Sequence, residues 1–199
     1  MISQLRNIDE ELASRVATGL ALPLPGKAPA AREPVDLPLS PALSLLGRAK
    51  HTLVGRKVGI LFSDGSKKAT IDTLAEAIRK EGGTPMLIAP RVGGIKVEGG
   101  TLKADGQLAG TPSVLVDAIA LVLTEDAAEK LCSDSAAVGF VADAFAHLKA
   151  IGFTAGAQAL LNRAGVQADE GVTDDLGKAF LSAASRRFFD REPCVRNLC

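Results

Sequence analysis

The stretch GRKVGILFSDGSKKATIDTLAEAIRKEGGTPMLIAP, Gly55 to Pro90, decides the fold. Val58 to Phe62 is a short apolar run between polar residues, the pattern of a strand buried on both faces. Ser63, Asp64, Gly65 and Ser66 then form a turn whose side chains suit a helix N-cap. Ile71, Leu74, Ala75 and Ile78 recur at three- and four-residue spacing, which makes one apolar helical face. Gly82-Gly83 stops that helix, and Met86 to Ala89 resumes an apolar strand before Pro90. Strand, crossover helix and strand make a βαβ unit, whose two strands must run parallel. A doubly wound α/β domain starts here.

Toward the C-terminus, Ile95 and Val97 face Thr101 and Leu102 across Glu98-Gly99-Gly100, a small hairpin. Ala118 to Leu123 reads as another buried parallel strand. Ala127 to Cys132 and Val138 to Leu148 read as helices, with Phe140, Val141, Ala144, Phe145 and Leu148 on one face. Ala150 to Thr154 is the next strand, Ala157 to Ala164 the next helix, closed by Gly165, and Leu176 to Ala184 the last. The tail FFDREPCVRNLC is expected to dock at its aromatic end and hang loose at its cysteine end.

Toward the N-terminus, Asn7 can cap a helix that carries Leu12, Val16 and Leu20 on one face, with Ile8 beside them. A single amphipathic helix needs a partner for that face. Proline from Pro23 to Pro41 forbids regular helix and favours extended chain. Such a linker of about eighteen residues could span ~55 Å. The helix before it is therefore expected to belong to another body. Gly26-Lys27 is no phosphate loop: Ala28 stands where Ser or Thr is needed, and no strand precedes it.

Composition narrows the function classes. Basic and acidic side chains number 23 each, and no Lys/Arg run or aromatic platform offers a nucleic-acid surface. No apolar stretch approaches a membrane span and Met1 opens no signal sequence, so a cytoplasmic protein is expected. Cys132, Cys194 and Cys199 have no close-pair spacing, which suggests neither a disulfide frame nor a metal site. Cys132 has nothing cationic arranged beside it and reads as an inert thiol. Ser63, Gly65 and Ser66, with Lys67 and Lys68 following, are a weak candidate for an anion site at a helix N-terminus. A chain without Tyr or Trp is a poor flavin binder, and no cofactor is expected in it.

Several long segments, in order, resemble the C-terminal end of large-subunit haem catalases. They are GRKVGILFSDG (55–65), VGGIKVEGGTLKADGQLAGTPSVLVDAIALVL (92–123), FVADAFAHLKAIGFT (140–154) and DREPCVRNL (190–198). IDEELASRVATGL (8–20) is similar to the last helix of the catalase core. The resemblance implies a flavodoxin-like doubly wound parallel sheet, related to the PfpI-type branch of the class I glutamine-amidotransferase-like superfamily. It implies a terminal helix over 1–22, a Pro-rich linker over 23–54 and the flavodoxin-like domain over 55–199. It further implies a tetrameric parent that decomposes hydrogen peroxide in oxidative-stress defence, whose haem-binding body would precede Met1. Tyr holds the iron in catalases, and this chain has none. Of its histidines, His51 falls at the linker end and His147 among the core positions of a helix, neither placed for distal acid–base work.

In PfpI-type enzymes a Cys on a strand-to-helix elbow is the nucleophile, followed by His and helped by an acid after the first strand. An ungapped reading of Lys149 to Leu161 puts Ala155 at the Cys position and Gly156 at the His position, and the acid position falls on Lys67. All of that machinery is replaced. Thr154 in Gly152-Phe153-Thr154-Ala155-Gly156 fits a loose elbow with Thr as nucleophile. A β-branched residue suits the strained φ poorly, however, and no His–carboxylate pair is at hand. The first expectation is a non-catalytic accessory domain that stabilises the parent tetramer or shapes haem access, with the catalase core as partner. The alternatives are a chaperone-like holdase for unfolded clients and a residual hydrolase or deglycase.

Overall fold

The computed structural model describes residues 1–33 and 35–195. The chain divides into two compact units, Met1–Ala49 and Lys50–Cys199.

In the first unit, α1 (Ile2–Leu5) is followed by α2 (Glu10–Gly19). The cap is Asp9 rather than Asn7: its carboxylate accepts the Leu12 amide at 2.8 Å. Glu10 and Glu11 in the first turn of α2 favour this start through the helix dipole. Asn7 has a different task, because its side-chain amide donates to the Ala28 carbonyl at 3.0 Å. Arg6 likewise donates to the Pro25 carbonyl at 2.7 Å, and Ala28 N–H to Ser3 O at 3.1 Å. The start of the Pro-rich stretch thus folds back along α1 instead of leading away from it. Beyond it, among the described residues, 3-10 turns at Pro41–Leu43 and Leu46–Arg48 are the regular structure. Ala13 and Ala17 are the buried residues of α2, while Ile8, Leu12 and Leu20 are exposed.

The second unit is a three-layer α/β sandwich. Its opening βαβ unit is β1 (Lys57–Phe62), α3 (Lys68–Lys80) and β2 (Thr84–Ala89). Ile71, Leu74, Ala75 and Ile78 are the buried residues of α3. Gly82, at φ +79°, ends the helix where an L side chain would be strained. An antiparallel hairpin follows, β3 (Ile95–Val97) with β4 (Gly100–Leu102), and then the short β5 (Gly106–Gln107). β6 (Ala118–Val122) leads to α4 (Glu125–Leu131) and α5 (Ser135–Ala146). β7 (Ile151–Phe153), α6 (Gln158–Arg163), β8 (Val172–Thr173), α7 (Lys178–Ala184) and α8 (Glu192–Val195) complete it.

The six-stranded sheet runs β5-β2-β1-β6-β7-β8, with every pairing parallel. Without the short β5 edge this is the 2-1-3-4-5 order of the flavodoxin-like fold. The pleat sorts side chains to the two faces. Val58, Ile60, Phe62, Ala118, Ala120 and Val122 pack in one cluster with α3 and α7. Leu61, Ile119, Leu121 and Ile151 pack in the other with α4, α5 and α6. Leu53 is 3% exposed within the first cluster, so this unit takes in residues that the sequence places in the linker.

Two placements in α5 differ from the periodic reading. The helix ends at Ala146; Leu148, at φ +60°, lies past it, and His147 is an exposed C-cap residue rather than a core one. The tail is anchored by a charge as well as by its aromatic pair. Phe188 is buried, but Phe189 is exposed and Arg191 is only 4% exposed. The end of the tail, with Cys199, lies outside the described residues; Cys194 is exposed.

Candidate functional site

The carboxyl edge of the sheet is where α/β folds place their chemistry, and the elbow stands there. β7 ends at Phe153, Thr154 is extended, and Ala155 opens a 3-10 turn, Ala155–Ala157, that runs into α6. Thr154 lies at φ −85°, a relaxed conformation. Its hydroxyl accepts the Leu123 amide at 3.0 Å and donates to the Leu123 carbonyl at 2.8 Å. The hydroxyl therefore ties β7 to the end of β6 and has no base beside it. A Cβ on Gly156 would lie 2.6 Å from the Leu123 carbonyl oxygen and 2.8 Å from the Glu125 amide nitrogen. Backbone fills the space that a side chain would need. Cys132 is the half-buried C-cap of α4, not a residue of the turn. His51 and His147 are exposed.

The turn after β1 is organised from within. Ser66 is almost fully buried; its hydroxyl donates to the Val122 carbonyl at 2.6 Å and accepts the Ser63 amide at 3.0 Å. Ser66 is thus a pin between β1 and β6, and the N-cap of α3 is Lys67, without a side-chain cap. The β3–β4 hairpin closes over the helix start. Gly65 N–H donates to Lys96 O at 2.8 Å, Lys68 N–H to Glu98 O at 3.1 Å and Glu98 N–H to Ser66 O at 2.8 Å. The donors of Ser63, Gly65 and Ser66 that could cradle an anion are engaged in this way, Ser66 N–H by the Ser63 carbonyl. Lys67 is exposed and bridges in parallel to Glu98. No donor set here fits a haem or a flavin phosphate.

Beside the turn, a groove of about 570 Å³ lies over the ends of β1, β2 and β6, where the strand order reverses direction. Its polar lining is Ser63, Asp64, Arg91, Thr124, Asp126, Lys130 and Asp134. Asp64 accepts from Arg91 at 2.7 Å and from the Lys96 amide at 2.8 Å. The Arg91 hydrogen bond, above all, holds its carboxyl below the usual carboxylate range. Thr124 caps α4 through the Ala127 amide, and Asp134 caps α5 through the Ala136 amide. Among the described residues no cluster of His, Cys, Asp and Glu could hold a metal ion.

Two buried charges at the opposite, amino edge serve the fold, and sequence reasoning passed over both. Lys149 donates to the carbonyls of Ser113 at 2.6 Å and Val116 at 2.8 Å. Burial pushes its ammonium below the ordinary lysine range, and Arg187 adds to the effect. Arg191 forks onto both oxygens of Asp169, at 2.6 and 2.9 Å. It also donates to the carbonyls of Phe145 and Lys149, and stacks 4.2 Å over the Phe145 ring. Burial alone would raise the Asp169 carboxyl, but Arg191 and backbone donors outweigh it and hold the group below its usual range.

Comparison with known proteins gives a consistent picture. The model of a C-terminal domain found in long catalases matches residues 54–193. Catalase C of Rhizobium meliloti is 42% identical over 207 residues, covering 98% of this chain and 29% of that protein. Catalase HPII of Pseudomonas aeruginosa is 35% identical, covering 84% of the chain and 23% of its own length. Catalase-2 of Bacillus subtilis is 30% identical, covering 96% and 28%. The chain therefore spans less than a third of the length of these relatives.

Proposed function

Because the chain belongs to the family of C-terminal domains found in long catalases, we propose that it serves such a catalase as a non-catalytic accessory domain. The parent would decompose hydrogen peroxide at a haem held by its core, in the cytoplasm and as part of oxidative-stress defence. The domain would stabilise the parent tetramer or shape access to the haem. Residues 1–22 would be the end of the core and residues 23–54 the linker. The domain itself, given as 55–199, would start a little earlier, at Leu53.

The observation that carries the reading is the closed elbow. Ala155 offers no nucleophile, Gly156 lies against the backbone of Leu123 to Glu125, and Thr154 is bound at both polar functions to Leu123. A hydrolase or deglycase would need a nucleophile, a base and a space for substrate at that turn. Ala155, Gly156 and Lys67 supply none of these.

The test is direct. The isolated chain, mixed with haem and peroxide, should show no Soret band and release no oxygen. The parent catalase cut after the linker should keep its haem but lose tetramer stability or change its KM for peroxide. Oxygen release by the isolated chain, or a parent indifferent to the cut, would overturn the reading.

A second reading rests on a separate observation. Leu37, Leu39, Leu43 and Leu45 in the first unit are each between 74% and 98% exposed. Such apolar surface can hold unfolded clients. Suppression of aggregation of a denatured client by the chain, lost on removing residues 1–49, would favour that holdase function.

A further inference from the structure

We propose that the groove between α3 and α7, on one face of the second unit, is a helix-docking site, and that α2 of a second copy of the chain fills it. The groove runs in two joined stretches of about 340 and 490 Å³, which share Ala77 and Gly177. Leu176 and Leu181, each half-buried against the core, are its apolar walls. Its floor is a row of small side chains, Ala69, Thr73 and Ala77, four residues apart on α3. A floor this low leaves room for large side chains from outside.

The ridge that matches it is on α2. Leu12 and Leu20 are 45% and 60% exposed, with the half-buried Val16 between them, again at four-residue spacing. Rows at this spacing interdigitate in the commonest class of helix packing, and a row of large side chains fits a row of small ones. The charges agree with the shapes. The α3 row continues to Glu81 at the polar end of the groove, where Lys178 stands on the α7 side. On α2, Glu11 and Arg15 form the row beside the ridge. Neither Arg15 nor Glu81 has an ion-pair partner among the described residues. Each sign on the helix therefore meets its opposite on the groove, Arg15 with Glu81 and Glu11 with Lys178. The exchange is symmetric: each copy gives its α2 to the other, and two equal contacts close a dimer with no open end.

Sedimentation of the full chain across a concentration series tests this, and the chain should dimerise. Leu12→Glu spoils the ridge and Thr73→Trp fills the groove; both change exposed positions, and circular dichroism should show each variant folded. Each should weaken dimerisation about tenfold or more, the scale of one large apolar side chain lost from a packed contact. Mixed together, the two variants should associate one to one, because the first keeps its groove and the second its ridge. Arg15→Glu should weaken dimerisation about three- to fivefold, the scale of one solvent-exposed ion pair, and Glu81→Arg in the same chain should restore it. The proposal is overturned by a chain that stays monomeric, by a Thr73→Trp chain that dimerises like the original, or by a mixture of the two variants that stays monomeric.

Discussion

Arg191 and Lys149 are buried cations held in different ways, and their substitutions separate two physical effects. Arg191 is paired: Asp169 takes its fork and two carbonyls take its remaining face. Arg191→Ala would leave that carboxylate and those carbonyls without a donor, and loss of one partner of a buried pair costs about 3–5 kcal/mol. The urea midpoint should fall accordingly. Arg191→Lys should recover less than half of the loss, because an ammonium cannot bind both carboxylate oxygens and stack on Phe145 together. Lys149 has only carbonyls as direct partners, so its folded-state pKa is depressed. Between that depressed value and the unfolded value of about 10.4, the unfolded chain binds more protons than the folded one. Stability therefore rises with pH across this window, and the penalty is full and flat below it. Lys149→Met should remove that rise. The difference in unfolding free energy between the two proteins, measured from neutral pH to about 10.5, should shift in favour of Lys149 as pH increases; a constant difference would contradict it.

At the scale of elements, the elbow and the loop after β6 act as one packed corner. Thr154 binds both polar groups of Leu123, and Gly156 allows the two backbones to touch. Gly156→Ala must push carbonyl and amide groups apart, an overpacking that costs about 1–3 kcal/mol. Thr154→Val keeps the shape but leaves the Leu123 amide without its acceptor, with a loss of about 1–3 kcal/mol. Thermal unfolding of each variant measures these losses, and the pair should be non-additive because the contacts share Leu123. The same corner shows what a sequence discloses. β1, α3 and β2 were legible because each carries its own period, and the parallel order follows from the crossover rule. The position of the elbow was legible as a strand end opening a helix. Its closure was not, because it depends on backbone 31 residues away in sequence, at Leu123 to Glu125. The same holds for Arg191, whose burial is set by Asp169 and by the end of α5. Asn7 and Asp9 are both good caps two residues apart, and only the returning chain at Ala28 assigns each its partner. The short strands β5 and β8 are too brief to carry a period at all.

For the whole molecule, the question is where stability resides. The second unit closes its own core on both faces of the sheet, with Leu53 as the first residue of that core. The first unit buries Ala13 and Ala17 in α2 and leaves Ile8, Leu12 and Leu20 exposed. Apolar side chains of this size are worth about 1.5–3 kcal/mol each when fully buried. A few together are a strong drive to associate, whatever covers them in a longer protein. Deleting residues 1–49 should therefore leave the melting transition of the second unit unchanged and make the protein more monomeric. Light scattering and calorimetry on the full chain and on 50–199 measure the two effects separately. If the deletion lowers the melting temperature by more than a few degrees, the first unit contributes to the stability of the second, and the division of labour argued for the two units fails. If the melting transition holds but self-association persists, the associating surface lies within the second unit, and the exposed face of α2 is not the cause.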